Sequence, residues 1–230
     1  MTIDAKKFAG YLLNGDELSC EEYLESLAYK ENILKVLQLF TGAMQHVGEL
    51  WENNEISVAD EHLATATCDY VLSYYKFRYI TRKIPIKHNK KAMFLCLENE
   101  QHYLGTKMIA CVFESFGWNV RLFGANLPLE YARSQAEEWK PDIIGISVAI
   151  LYHLPKLNLY IEELTATSSA PGILVGGRLS GLYDLMPYCT EQTTILKDII
   201  EVSRWLEEQK VEENTDDKYK QHTNPILSNK

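Results

Sequence analysis

The stretch "KAMFLCLENEQHYLG", residues 91–105, decides the fold. Its first part, KAMFLC, is an uninterrupted apolar run of strand length, the pattern of a strand covered on both faces. The loop that follows carries His102, with Glu100 two residues before it and Gly105 three after. Further short apolar runs come later: "NVRLFG", "DIIGISVAI", "GILVGG" and the weaker "TTIL", separated by amphipathic stretches of helix length. Strands that alternate with helices imply a parallel sheet, here of five strands.

Upstream of Pro85 the period is different. No strand-like run occurs, and Ile33, Val36, Leu37, Phe40, Ala43, Met44, Val47, Leu50 and Trp51 recur at helical spacing on one face of a long helix. Ser19 before Glu22 in "SCEE", and Ser57 before Asp60 in "SVAD", read as capping-box starts. The pattern predicts helices over 3–13, 19–29, 32–53 and 57–82, joined by short loops into an antiparallel bundle. The expected organisation is α/β: a four-helix bundle over 1–84, then a flavodoxin/Rossmann-like, doubly wound parallel sheet over 90–208. The basic, proline-bearing "RKIPIKHNK" links them. A polar, unpatterned segment over 209–230 is expected to be a disordered tail.

Composition removes several function classes. A formal charge of −9 across 230 residues argues against a nucleic-acid surface, because phosphate binding needs a basic face. No apolar stretch has signal-peptide or membrane-spanning length, so no membrane role is expected. The five cysteines are scattered with no CxxC pair, which reads as buried thiols in a reducing cytosol and makes no zinc site. A cytoplasmic location follows. The first strand is not followed by G-x-G-x-x-G, which counts against a dinucleotide. Nothing resembles a nucleophile elbow, and no second histidine is expected beside Ser147, so hydrolytic chemistry is not expected.

In open parallel sheets, ligands bind beyond the carboxyl ends of the strands. His102, Ser147 and the pair Gly176–Gly177 stand at three such ends. A metal-binding imidazole gives its second ring N–H to a carboxylate, which fixes its tautomer. Glu100 is close enough to take it, and Ser147 can extend the relay. The plainer readings are a solvated loop histidine and a glycine turn. Gly105 either lets backbone pass close to a bulky ligand or opens the next helix. In "WENNEISVADEH", Trp51 ends the third helix while Glu61 and His62 open the fourth, so a hairpin brings them to similar height. They either hold a flat ligand with a polar substituent, or form a core tryptophan beside two polar residues on a wet face.

Taken together, these motifs resemble a known family. E-x-H-x-x-G after the first strand, serine after the third and GG after the fourth resemble the cobalamin-binding domain of methionine synthase and its relatives. "GAMQHVGELWENNEISVADEHLATA" is similar to the helical cap that precedes that domain, and the likeness covers about residues 3–208. Trp51, nine intervening residues, then Glu61-His62 resembles the W-x9-E-H signature of adenosylcobalamin-dependent light-sensing regulators of the CarH and LitR type. The resemblance implies His102 as the lower axial ligand to cobalt, with Glu100 and Ser147 as its hydrogen-bond relay. It implies that Gly105, Gly176 and Gly177 make room for the displaced nucleotide tail. It places Trp51 over the upper corrin face and sets Glu61 and His62 against the upper ligand. Two positions depart from the family pattern: Glu100 stands where aspartate is common, and S-x-L reads Ser147-Val148-Ala149. The helix-turn-helix domain of those regulators is not expected ahead of the bundle. The implied protein is a cobalamin-binding sensor, not an enzyme, that binds adenosylcobalamin and responds to light. It acts through a partner regulator or effector protein, or through a change of homo-oligomer. The other reading is a corrinoid carrier of methyl groups that binds methylcobalamin.

Overall fold

The computed structural model describes residues 2–85 and 89–222, with side chains through Lys210. Four helices come first: α1 (Ile3–Leu13), α2 (Glu17–Ser26), α3 (Ile33–Glu52) and α4 (Val58–Tyr75). Ser57 starts α4 with the predicted capping box: its hydroxyl accepts from the Asp60 amide at 3.3 Å, and the Asp60 carboxylate accepts from the Ser57 amide at 2.8 Å. The start of α2 differs from expectation. Asp16 is the cap, not Ser19, and accepts from both the Ser19 amide at 3.0 Å and the Ser19 hydroxyl at 2.6 Å. A carboxylate gains more than a hydroxyl from the unpaired N–H groups of a helix start. The helix ends at Ser26, where Leu27 turns extended.

The sequence predicts one helix over 57–82, but beyond Tyr75 it widens into a π-helix, Lys76–Thr81. In the wider turn residues four apart come closer to alignment, and Tyr75 and Tyr79 stack at 4.9 Å. Tyr75 then donates to the Lys30 carbonyl, in the turn between α2 and α3, at 2.9 Å, and Tyr79 to the Glu25 carboxylate at the end of α2 at 2.7 Å.

The second half runs β1 (Lys91–Cys96), α5 (Leu104–Ser115), β2 (Asn119–Leu122), α6 (Leu129–Trp139), β3 (Ile143–Ser147), α7 (Leu154–Thr165), β4 (Gly172–Gly176), β5 (Thr194–Ile195) and α8 (Ile199–His222). All five strands are parallel, in the order β2-β1-β3-β4-β5. Residues of β1 alternate between two cores. Ala92 and Phe94 pack with α5, α8 and the bundle, while Met93 and Leu95 pack with α6 and α7. That is why the run is apolar throughout. The chain winds one way from β1 to β2 and the other way from β3 onward, so the crevice between the ends of β1 and β3 is the switch point.

The helix α8 continues to His222, so residues 209–222 of the expected disordered tail are helical. That stretch is rich in Glu, Lys and Gln, good helix formers that need no apolar stripe to extend an anchored helix. Residues 223–230, and residues 86–88 of the expected linker, lie outside the described residues. Among the described residues, no helix is long and apolar enough to cross a membrane.

Bundle and sheet share one apolar cluster, in which Phe40, Val47 and Tyr75 join Phe94, Phe113, Trp118 and Val202. Polar bridges ring it. Lys107 on α5 reaches the Asp69 carboxylate at 2.5 Å and the Ser73 hydroxyl at 2.5 Å, and Lys76 pairs with Glu114 at 2.7 Å. Burial pushes the Glu114 carboxyl up, against the pull of Lys76, and its second oxygen is buried without a partner among the described residues. A carboxyl whose folded pKa is raised favours folding below its unfolded pKa, and that contribution is lost as pH rises through the folded value. Urea unfolding of wild type and Glu114→Gln at about pH 3.5 and about pH 7 checks this. The wild type is expected to lose ground to the variant on going to the higher pH; an equal gap at both would contradict the linkage.

Candidate functional site

The loop after β1 is fixed by backbone geometry before any side chain acts. Asn99 takes a positive φ of 70°, its amide donates to the Asn126 side chain at 2.8 Å, and the Asn126 amide donates to the Glu100 carbonyl at 2.9 Å. This turns Glu100 inward, where its side chain is fully buried. One carboxylate oxygen, Oε1, lies 2.5 Å from His102 Nδ1 and accepts from the His102 amide at 3.1 Å. The other, Oε2, accepts from the Ala149 and Ile150 amides at 2.9 and 3.2 Å and lies 3.2 Å from His153 Nδ1. The carboxylate therefore spans the switch point, from the loop after β1 to the loop after β3.

Burial alone would raise the Glu100 pKa. The hydrogen bonds from His102, the Ala149 amide and His153 outweigh it and hold the carboxyl at about 2. The hydrogen bond to Glu100 in turn raises His102 against the cost of its own partial burial. The charge of Glu61 adds to this rise and that of Arg178 opposes it. His102 keeps 63% of its side-chain surface exposed. With Nδ1 committed to Glu100, Nε2 is the nitrogen left to coordinate a metal or meet a ligand.

Ser147 closes β3, level with Cys96 on one side and Gly176 on the other, and is buried. Among the described residues it makes no hydrogen bond to Glu100, so the structure does not build the relay that the resemblance implied. The carboxylate instead takes the backbone amides of Ala149 and Ile150. The expectation that no second histidine stands at this edge is corrected as well. His153 is there, buried, but its Nδ1 meets Glu100, and no bond to Ser147 is present among the described residues to make a nucleophile pair.

The glycines differ in what they require. A side chain at Gly105, in the first turn of α5, would meet open space, whereas one at Gly176 would lie 3.1 Å from the Leu196 carbonyl. Gly177 has φ +110°, and a Cβ there would run into Val148 and come within 2.9 Å of the Ser147 hydroxyl oxygen. Gly177→Ala is therefore expected to lower the unfolding free energy by roughly 1–3 kcal/mol, whereas Gly105→Ala is expected to be close to neutral. Thermal melts of the two variants test the contrast, and equal effects would contradict it.

On the bundle side, Trp51 lies in the last turn of α3 with 47% of its surface exposed. Its neighbour Glu52 pairs at 2.6 Å with Arg178, the residue after Gly177, and so ties the end of α3 to the end of β4. Glu61 Oε2 lies 2.8 Å from His62 Nδ1, and Glu61 Oε1 accepts from the Thr65 hydroxyl at 2.8 Å. The two residues are paired as expected, but His62 is 75% exposed, while Glu61 turns inward far enough for its charge to act on His102. Cys96 is buried close to this edge, and burial pushes its thiol up to about 11. Sequence reading missed His153, the two amides and Arg178. Only His153 left a signal, as a histidine a few residues past a strand end.

A metal held by His102 must bring its other ligands with it, since the described residues contain no group of three or more His, Cys, Asp or Glu that could hold one alone. An anchored, outward-facing imidazole at a switch point, with Nε2 uncommitted, fits cobalt in a corrin ring. The comparisons agree. Residues 5–76 match one model of a B12 binding domain and residues 90–186 match a second. The chain belongs to the B12-binding domain family. Trimethylamine corrinoid protein 1 of Methanosarcina mazei is 26% identical over 166 residues, covering 70% of this chain and 76% of that protein. The HTH-type transcriptional repressor CarH of Myxococcus xanthus is 26% identical over 101 residues, covering 44% of this chain and only 32% of the repressor. The solved Methanosarcina barkeri monomethylamine corrinoid protein shares the fold, with a TM-score of 0.67 at 14% identity, over 86% of this chain and 94% of that one.

Proposed function

We propose that this chain holds a cobalamin between its two halves and acts as a sensor of the cobalamin's upper ligand. His102 would hold the cobalt through Nε2, and residues 1–84 would cover the bound corrin. The observation that carries this reading is the seating of His102 Nδ1 on the fully buried Glu100, which fixes the tautomer and leaves Nε2 free. Gly105, Ser147, Gly176 and Gly177 line the path of the nucleotide tail. Trp51 covers the ring, and Glu61 and His62 contact the upper ligand, adenosyl in this reading. Cobalamin, when bound, supplies an upper ligand that light or a methyl acceptor can remove. Loss of that ligand would free Trp51, Glu61 and His62 of the contact, and with them the α3–α4 edge to move against the sheet. The Glu52–Arg178 pair stands at that boundary. The outcome is a changed oligomer or a changed surface for a cytoplasmic partner protein, with no substrate turned over.

A second reading, a methyl carrier using methylcobalamin, is favoured by two observations. The likeness to a trimethylamine corrinoid protein covers 70% of this chain, and the solvent access of Trp51 and His62 suits an upper face that partner enzymes must reach. Absorption and elution volume of the protein loaded with adenosylcobalamin in the dark, before and after a green flash, separate the two. The sensor predicts a spectral conversion together with a change in elution volume. An unchanged assembly, with methyl transfer to a thiol by a partner enzyme, favours the carrier. His102→Ala is expected to weaken cobalamin binding on either reading.

A further inference from the structure

The support behind His102 is not the one that its resemblance implies. Glu100 offers two oxygens to two different loops. Oε1 serves His102, and Oε2 takes the Ala149 and Ile150 amides and His153, with no hydrogen bond from Ser147 among the described residues. His153 is well placed to be rigid. It lies at the end of a 3-10 turn, Leu151–His153, its amide donates to the Ile150 carbonyl at 3.0 Å, and it stands at the N-cap position of α7, two residues before Pro155. Its side chain is only 8% exposed, so its Nδ1–H has little water to turn to.

We infer that His153 is the positioning residue for His102: by donating from Nδ1 to Glu100 Oε2, it fixes the carboxylate on which His102 Nδ1 is held. The two backbone amides set how deep the carboxylate sits, and the imidazole, on a different element, sets its rotation. Ser147 has no part in this chain: its hydroxyl bonds the Cys96 thiol, and its oxygen lies close to where a side chain on Gly177 would stand. The functional weight of the inference rests on His102 as cobalt ligand, but the His153–Glu100–His102 chain stands without the cofactor.

Ring-nitrogen spectra of the cofactor-free protein labelled with 15N-histidine test that chain directly. His153 is expected to carry its proton on Nδ1. His153→Leu is expected to move the His102 ring signals, His153→Gln, which keeps an N–H donor, to bring them back toward wild type, and Ser147→Ala to leave them in place. A His153 protonated on Nε2 alone, or His102 signals that move with Ser147→Ala and not with His153→Leu, would overturn the inference. Should the leucine variant fail to fold, the wild-type tautomer and the glutamine and alanine variants still decide it. The same proteins loaded with cobalamin and reduced are then read by the nitrogen splitting in the cobalt EPR spectrum. His153→Leu is expected to lower the ratio of histidine-ligated to unligated cobalt by roughly tenfold, the worth of one hydrogen bond to a charged group. If the ring spectra are as expected but the wild type shows no histidine splitting, His102 is not the ligand and the positioning role stands alone.

Discussion

The Glu100 carboxylate is the constraint on which the rest of the site depends. A buried and unpaired carboxylate costs several kcal/mol, so this one is tolerable only while donors from both loops reach it. That requirement locks the loop after β1 to the loop after β3. The strand order β2-β1-β3 makes this feasible, because it sets the two loops side by side at the switch point. His102 inherits its orientation from this lock, since its Nδ1 has one buried acceptor and its free nitrogen faces outward.

The helical bundle is held against the sheet by a shared apolar core, with charged bridges around its rim. Partly exposed ion pairs such as Glu52–Arg178 contribute little energy individually. Burial of Phe40, Val47 and Tyr75 against Phe113 and Trp118 carries the attachment. A change at the α3–α4 edge can therefore loosen the rim pairs while the core contact persists. A ligand acting there needs only to alter a contact worth a few tenths to about one kcal/mol.

Much of this was legible in the sequence. Helical spacing upstream of Pro85 gives way to uninterrupted apolar runs that alternate with helices, and all five strands lie where the runs predict. Ser57–Asp60 was readable as a cap because both partners are local. What escaped depends on side-chain length and on distant pairing. Glu100 has a longer arm than an aspartate would, and no spacing rule says which donors it meets. His153 lies 53 residues from Glu100, and Arg178 lies 126 from Glu52, so neither partnership can be read from neighbours along the chain. Polarity alone suggested disorder beyond residue 208, yet helix propensity extends α8 to His222.

The central claim is that a histidine of this chain, and not the cofactor's own base, holds the cobalt. Nitrogen-14 and nitrogen-15 split an EPR line differently, into three components and two. The decisive measurement is the cobalt EPR spectrum of the reduced, cobalamin-loaded protein made with 15N-histidine. The account predicts that each line becomes a doublet, because the ligating nitrogen belongs to His102. Triplets that persist with the labelled protein would mean that the cofactor's own base remains on the cobalt, and would contradict it.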